Sequence, residues 1–423
     1  MNDATTARRA ALILLRRTLN DLEMLDESAL PPDTAPQDRA RGLTLARTAL
    51  RWLNSADAVL GEFIPKAPVG EARDILRLGV IEILVLKEAP YGVVDAAVRI
   101  AKSNRRTHKQ SGMINAVLRR VSEEGPEIWA DIDHGRQTTT DWFYKLLRRD
   151  WGKTGAAAIC EAHLVPAPLD LTVKGDPASW AETLGGIVTP TGSVRLARPG
   201  RLSALTGFET GDWWAQDAAA AVPARLVGAG DGKRALDLCA APGGKTMQLA
   251  AQGWDVTALD ISDSRMARVK ENLTRTQLKA TTVVADAMEW QSNEMFDLVL
   301  LDAPCSATGT VRRHPELPHI RGEGSVEPLR RMQRDLANAA WDKTAPGGMM
   351  VYCTCALTMA EGEARAKAFL TEHEDAARVP YSAEELGDPI LRTRAGDYRA
   401  RPDMWSEIGG MDGFFAARFQ KAG

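Results

Sequence analysis

Much that would place this chain in a metal, membrane or disulfide class is missing from it. Only five cysteines occur in 423 residues: Cys160, Cys239, Cys305, Cys353 and Cys355. None forms a CxxC pair and the total is odd, which argues against a disulfide framework and a zinc site, so no metal is expected. Long apolar runs are also missing. The best, Ile75–Leu86, is interrupted by Arg77 and Glu82 and falls short of the roughly 18 apolar residues a membrane helix needs. The opening Met1-Asn2-Asp3-Ala4 lacks a signal-peptide layout. The apolar run Ala10–Leu15 is too short for one and is bracketed by Arg8, Arg9, Arg16 and Arg17, so a cytoplasmic protein is expected. Excess charge is absent too: 53 basic against 56 acidic residues leave −3, so any basic surface has to be local. Repeats and low-complexity tracts do not occur. What remains has 44% hydrophobic and 26% charged residues, ordinary for a soluble protein and long enough for two or three domains.

Residues 1–125 read as a helical domain. Apolar positions recur at helical spacing in Ala10–Leu19, Leu43–Leu53, Ile75–Leu86, Val93–Ile100 and Ile114–Val121, and Pro31, Pro32, Pro36, Pro65 and Pro68 mark loops. Between residues 99 and 120, Arg99, Lys102, Arg105, Arg106, Lys109, Arg119 and Arg120 occur without any Asp or Glu. Two readings stand: a solvated helix face, or a stripe that contacts RNA phosphates. Residues 126–212 read as connecting helices, Trp129 to Cys160, and then a small α+β unit. That unit opens at Pro166 and Pro168 with Leu169–Val173 and runs through to Phe208. Residues 213–423 alternate short apolar runs with helices. Strands are expected at Ala235–Cys239, Asp255–Leu259, Thr281–Val284, Phe296–Leu301 and Gly348–Tyr352, with helices at Lys245–Ala251, Ser264–Leu273 and Leu329–Trp341. This is the pattern of an α/β doubly wound, mostly parallel sheet, with Gly413–Phe419 as an antiparallel edge strand.

Three motifs close strands of that sheet. The first runs Leu236-Asp237-Leu238-Cys239-Ala240-Ala241-Pro242-Gly243-Gly244-Lys245-Thr246, a buried strand, a glycine turn and a helix start. Glycines there let the backbone approach a ligand at the mouth of an open sheet. A P-loop would need Gly where Cys239 stands, and GxGxxG spacing is absent. Asp260 ends the next strand, about 20 residues on, where a carboxylate accepts ribose hydroxyls; Asp286 follows the third strand, placed for adenine. The second motif, Leu300-Leu301-Asp302-Ala303-Pro304-Cys305-Ser306-Ala307-Thr308-Gly309, sets a carboxylate three residues from a thiol. The third, Val351-Tyr352-Cys353-Thr354-Cys355, brings further thiols to the neighbouring strand end. Asp302, Cys305 and Cys355 are thus expected to converge on one pocket. Cys353, one residue before Thr354, is expected to be buried and inert, because alternate strand residues face opposite sides of the sheet and the next strand-end thiol is already assigned.

Cytosine C5 gives such a pocket a purpose. This carbon is too weak a nucleophile to attack a methylsulfonium, but adding a thiolate at C6 makes it enamine-like. Cysteine suits the task because part of it is thiolate even near neutrality. A carboxyl group kept protonated by burial, Asp302 here, would hydrogen-bond N3. A base must then remove the C5 proton; a second cysteine can help, and Lys245 is a neighbour.

These motifs resemble those of the RsmB/Sun branch of the Nop2/Sun family of RNA cytosine-C5 methyltransferases, over nearly the whole chain. CAAPGGKT, DAPCSATG and the following Arg312-Arg313-His314-Pro315 are close to family signatures. Gly112-Met113-Ile114-Asn115-Ala116-Val117-Leu118-Arg119-Arg120 looks like the NusB-type RNA-binding domain, and Gly207–Asp217 (GFETGDWWAQD) and Asp412–Phe415 are similar to family segments. The resemblance implies a Rossmann-like class I methyltransferase domain at 213–423, a NusB-like domain at 1–125 and an RRM-like connector at 126–212, in a monomeric enzyme. It implies S-adenosyl-L-methionine held by Cys239, Ala240, Ala241, Pro242, Gly243, Gly244, Lys245, Asp260, Asp286 and Asp302. It makes Cys355 the nucleophile and Cys305 the residue that assists product release. One cytosine of 16S rRNA is the implied substrate, with Arg105, Arg106, Lys109, Arg119, Arg312 and Arg313 as RNA contacts. The chain departs from the family where Ala356-Leu357-Thr358-Met359-Ala360-Glu361-Gly362-Glu363 replaces Ser-Val and a Pro-Glu-Glu-Asn stretch, and where Leu171-Thr172-Val173-Lys174 replaces Leu-Arg-Val-Asn. Rival readings are a cytosine methyltransferase acting on tRNA, one acting on DNA through Cys305, and a non-catalytic ribosome-assembly factor.

Overall fold

Apolar residues at three- and four-residue spacing draw the first part of the chain into helices: α1 (Thr6–Asn20), α2 (Pro36–Arg51), α3 (Leu53–Phe63), α4 (Glu71–Leu84), α5 (Pro90–Ser103) and α6 (Ser111–Ala130). Pro36 and Pro90 open α2 and α5, at first-turn positions where a missing N–H costs nothing. The break between α2 and α3 is one residue, Trp52, too short to interrupt the apolar spacing, which is why the sequence reads as one run there. The computed structural model describes residues 5–197 and 200–423. The opening four residues, read above for a signal layout, lie outside the described residues. So do Arg198 and Pro199, within the segment read as strand-like up to Phe208.

The chain divides into two units. One comprises the residues up to Pro166 together with Val311–Glu323. Its core packs Leu14, Leu15, Leu45, Leu76, Ile81 and Leu118. Gly79 lets α4 meet α6, since a Cβ there would come within 2.6 Å of the Leu118 side chain. The charges that interrupt Ile75–Leu86 are paired: Glu82, 1% exposed, meets Arg8 at 2.7 Å, and Arg77 meets Asp57 at 2.6 Å and Asp74 at 3.0 Å. Buried charges persist in a core only with such partners. After α7 (His134–Gln137), α8 (Asp141–His163) is broken at Gly152, where φ is +69°. Among the described residues no helix is long and apolar enough to cross a membrane.

The other unit, Ala167–Thr310 with Gly324–Gly423, holds two sheets. Strands β1 (Leu169–Val173), β2 (Ile187–Val188), β3 (Val194–Leu196) and β4 (Trp213–Ala215) form an antiparallel sheet in the order β2-β3-β1-β4. Because β4 pairs with β1, the small sheet extends past residue 212, where the sequence suggests a boundary. Asp170 and Arg195 tie it down as a buried pair at 2.7 Å, with Arg195 also donating to the carbonyls of Ile408 and Gly410.

The large sheet carries β5 (Arg234–Leu238), β6 (Asp255–Asp260), β7 (Thr281–Val284), β8 (Phe296–Asp302), β9 (Thr344–Thr354), β10 (Ala376–Arg378), β11 (Tyr398–Ala400) and β12 (Phe414–Lys421). Its order is β10-β12-β9-β8-β5-β6-β7, with β11 also pairing with β12. Strands β5 to β9 pair in parallel, a Rossmann-like arrangement. Strand β12 is antiparallel to β9 but is not the edge: β10 covers it. Strands β10 and β11 have three residues each, too few for an alternating pattern to be read.

Candidate active site

Parallel strands deliver their C-terminal loops to one edge of a sheet, and ligands bind there. Strand β8 pairs with both β5 and β9, so the three motif loops leave side by side. After β8, Ala303 N–H donates to Cys353 O at 2.9 Å and Gly309 N–H to Cys355 O at 2.9 Å. Gly309 is required for this approach, because a Cβ would lie 2.2 Å from Gly413 O and 2.6 Å from Cys355 O. The loop closure brings the Cys305 and Cys355 sulfurs to 3.4 Å. Both thiols are half-buried. Contact with Cys355, burial and the nearby charges of Cys355 and Glu361 hold the Cys305 thiol pKa well above its ordinary value.

Lys245 reaches Asp302 Oδ2 at 2.7 Å and lies 5.0 Å from the Phe414 ring centroid. Burial opposes the Lys245 ammonium, but Asp302 outweighs it and raises the lysine above its ordinary pKa. That direction favours the ammonium form of Lys245 over the base that the sequence reading allowed. The Asp302 side chain is 34% exposed, less buried than the sequence suggests, with the Lys245 ammonium beside it.

A cavity of about 480 Å³ opens on these groups. Ala240, Ala241, Pro242, Gly244, Lys245 and Asp302 line it, as does Cys355. Cys239, Gly243, Asp260, Asp286 and Cys305 are not on this wall. Cys239 adopts φ +59° at the turn, and burial pushes its thiol up to about 12. Asp260, 1% exposed, accepts Ala241 N–H on Oδ2 at 3.1 Å and Ser262 N–H on Oδ1 at 3.0 Å. It thus shapes the glycine turn, and its Oδ2 also lies 3.5 Å from the Arg265 guanidinium. Asp286, half-buried on the far side of β6, accepts Met288 N–H on Oδ1 at 2.9 Å. Cys353 is fully buried, as expected, and its sulfur lies 3.7 Å from Asp302 Oδ1.

Sequence reasoning missed Asp237. It is fully buried on the cavity wall, where Oδ2 accepts Thr246 Oγ1–H at 2.5 Å while Oδ1 has no partner. Burial pushes its carboxyl up from 3.8 to about 7. An acidic residue inside the apolar strand Leu236-Asp237-Leu238 was the available signal. Gln216, which packs where a Gly244 Cβ would go, and Glu361 carried no such signal.

The residues expected to contact RNA fare unevenly. Arg105, Arg106 and Lys109 are exposed on the connection between α5 and α6, and Arg119 is exposed on α6. Arg106 lines a cavity of about 510 Å³ with Arg9 and Arg16. Two other basic residues of the stretch are paired to acids one turn outside it, Arg99 with Asp95 at 3.9 Å and Arg120 with Glu124 at 3.0 Å. Arg313 is half-buried. Arg312 has to be corrected: it is 2% exposed and donates to the carbonyls of Val165 and Pro166 at 3.2 and 3.1 Å. A guanidinium sealed against backbone carbonyls is not available to a phosphate.

Comparison with known proteins agrees with this geometry. Residues 225–420 match the family model for 16S rRNA methyltransferase RsmB/F, and residues 5–123 match the NusB family. The chain is 37% identical to the ribosomal RNA small subunit methyltransferase B of Xylella fastidiosa, over 93% of this chain and 94% of that one. Among solved structures, that of PH0851 aligns with a TM-score of 0.77 at 22% identity, covering 100% of both chains. NSun6 from Pyrococcus horikoshii with SFG aligns with a TM-score of 0.57 at 19% identity, over 67% of this chain and 98% of that one.

Proposed function

This chain belongs to the RsmB/F family of 16S rRNA methyltransferases, and from that premise we propose that it methylates C5 of one cytosine in small-subunit rRNA, in the cytoplasm, with Cys355 as nucleophile. The observation that carries the reading is the two-thiol contact at 3.4 Å beside the Lys245–Asp302 pair.

The residues present fit S-adenosylmethionine. The glycine turn, with Gly243 at φ +100°, opens the strand end to a ligand. The unpaired Asp237 Oδ1 offers an acceptor to an amino group, and Asp260 and Asp286 follow at neighbouring strand ends for the nucleoside. The bound cofactor supplies an electrophilic methyl group on sulfonium. The chain's own residues do the rest.

In the proposed sequence, Cys355 reacts as its thiolate while the Cys305 S–H hydrogen-bonds its sulfur. That thiolate adds to C6, and the electron pair of the C5–C6 bond moves onto the ring. The Lys245 ammonium, oriented by Asp302, stabilises the charge that reaches N3 and the adjoining carbonyl; pre-placed charge of this kind is a leading source of rate enhancement. C5 would take the methyl group with the ring's electron pair, as the sulfonium carbon–sulfur bond breaks and leaves its pair on a neutral thioether. A base then removes the C5 proton, C5–C6 re-forms, and Cys355 departs as thiolate toward the Cys305 S–H.

Bisulfite sequencing of 16S rRNA from cells with and without the protein tests the function. One cytosine should lose protection in its absence and regain it with the wild-type chain but not with Cys355→Ala. An unchanged protection map across the 16S molecule would contradict the substrate assignment, and a change confined to tRNA or DNA would move it.

A further inference from the structure

Glu361 lies in the segment where the chain departs from the family pattern. It is 0% exposed. Its Oε1 accepts Ser306 N–H at 2.8 Å and Gln333 Nε2–H at 3.0 Å. Its Oε2 accepts the hydroxyls of Ser306 at 2.6 Å and Thr358 at 2.7 Å. Four donors fill the usual acceptor capacity of a carboxylate. None of the four is charged, and Glu361 is among the charges that act on the Cys305 thiol. Each donor belongs to a part of the site: Ser306 follows Cys305, Thr358 lies three residues past Cys355, and Gln333 also donates to Pro304 O at 2.9 Å. The wiring continues through Thr308, which contacts Ser306 Oγ at 3.1 Å and accepts Leu357 N–H at 2.9 Å.

We propose that Glu361 is the positioning residue of the two-thiol site: its carboxylate pins the loop carrying Cys305 to the segment that follows Cys355, and sets its charge beside the first of the two thiols. This rests on the functional reading above and adds to it the reason the thiols differ. Among the groups facing Cys305 are Cys355, Glu361 and Tyr352, with the Ala307 N–H as a favourable backbone donor. A negative charge there disfavours a Cys305 thiolate. The single proton of a thiol–thiolate pair then rests on Cys305, leaving Cys355 free to attack.

The test uses full-length Glu361→Ala and Glu361→Gln, with two readouts that need no methyl transfer. One is the rate of Cys305–Cys355 disulfide formation with diamide, followed by peptide mass spectrometry. The other is the pH profile of iodoacetamide labelling at each cysteine. Glu361→Ala should slow the disulfide by roughly tenfold through lost alignment. Glu361→Gln keeps the shape and lacks the charge. It should form the disulfide at near wild-type rate yet label Cys305 about threefold faster at mildly alkaline pH, with the profile displaced to lower pH. A folded Glu361→Ala with the wild-type disulfide rate, or Glu361→Gln with the wild-type Cys305 profile, overturns the proposal. If Glu361→Ala does not fold, the Glu361→Gln profile decides. Methyl transfer surviving in Cys355→Ala would instead overturn the functional reading without touching either thiol readout.

Discussion

The sulfurs of Cys305 and Cys355, fifty residues apart in sequence, lie 3.4 Å from each other. The backbone bond from Gly309 N–H to Cys355 O joins their loops, and Glu361 accepts from Ser306, next to one, and from Thr358, three residues past the other. One thiol can pass or hold a proton while the other forms a bond to carbon, and the site's behaviour follows from that proximity.

The two cysteines should therefore fail differently. Cys355→Ala should abolish methyl transfer and leave cofactor affinity near normal by calorimetry. Cys305→Ala should accumulate a covalent RNA adduct, seen as a denaturing gel shift, because the departing thiolate loses its hydrogen-bond donor. Reversal of the dead and trapped variants would overturn the division of roles.

Lys245 and Asp302 should act as a unit. Lys245→Met is expected to lower the single-turnover methylation rate about a hundredfold, the scale for removing one pre-placed electrostatic group. Asp302→Asn should cost a similar factor, and the double variant little more than either one. Additive losses in this cycle would mean that the pair does not work on one charge.

Asp237 links stability to pH. Its carboxyl is raised from 3.8 to about 7 in the folded chain, so between those values the folded state holds a proton that the unfolded state has released. Stability should fall as pH rises through that window and level off above it. Asp237→Asn should flatten this slope, raise stability near neutrality by about 1–4 kcal/mol, and weaken cofactor binding. Urea unfolding at several pH values checks the first two effects and calorimetry the third. A variant less stable than wild type at neutral pH would show that burial does not dominate.

The basic connection between α5 and α6 makes a salt-dependence prediction. Replacing Arg105, Arg106 and Lys109 by Ala should reduce the slope of log affinity against log salt by about one for each phosphate that these side chains neutralise. An unchanged slope returns these residues to the solvated-face reading.

Much of the site was legible because strand-end chemistry is local. The motifs closing β5, β8 and β9 could be read as neighbours once the sheet was recognised as parallel. What escaped depends on side-chain reach across the fold. Lys245 pairs with Asp302 over 57 positions, and no spacing rule reports that. Arg312 looks like a surface cation in its motif, yet its acceptors are carbonyls 146 and 147 residues away. The stretch from 99 to 120 seemed free of acids only because Asp95 and Glu124 stand just outside it, within helical reach of Arg99 and Arg120. Glu361 sits in a segment that differs from the family pattern, where its four hydrogen bonds leave no periodic trace.

The most direct test of the central claim uses an RNA fragment carrying 5-fluorocytidine at the target position, incubated with the protein and S-adenosylmethionine. Fluorine cannot leave C5 as a proton does, so an adduct formed at C6 persists after methyl transfer and can be mapped by peptide mass spectrometry. The nucleotide should be found attached to Cys355. Attachment to Cys305, or no attachment while the cofactor is bound, would contradict the account.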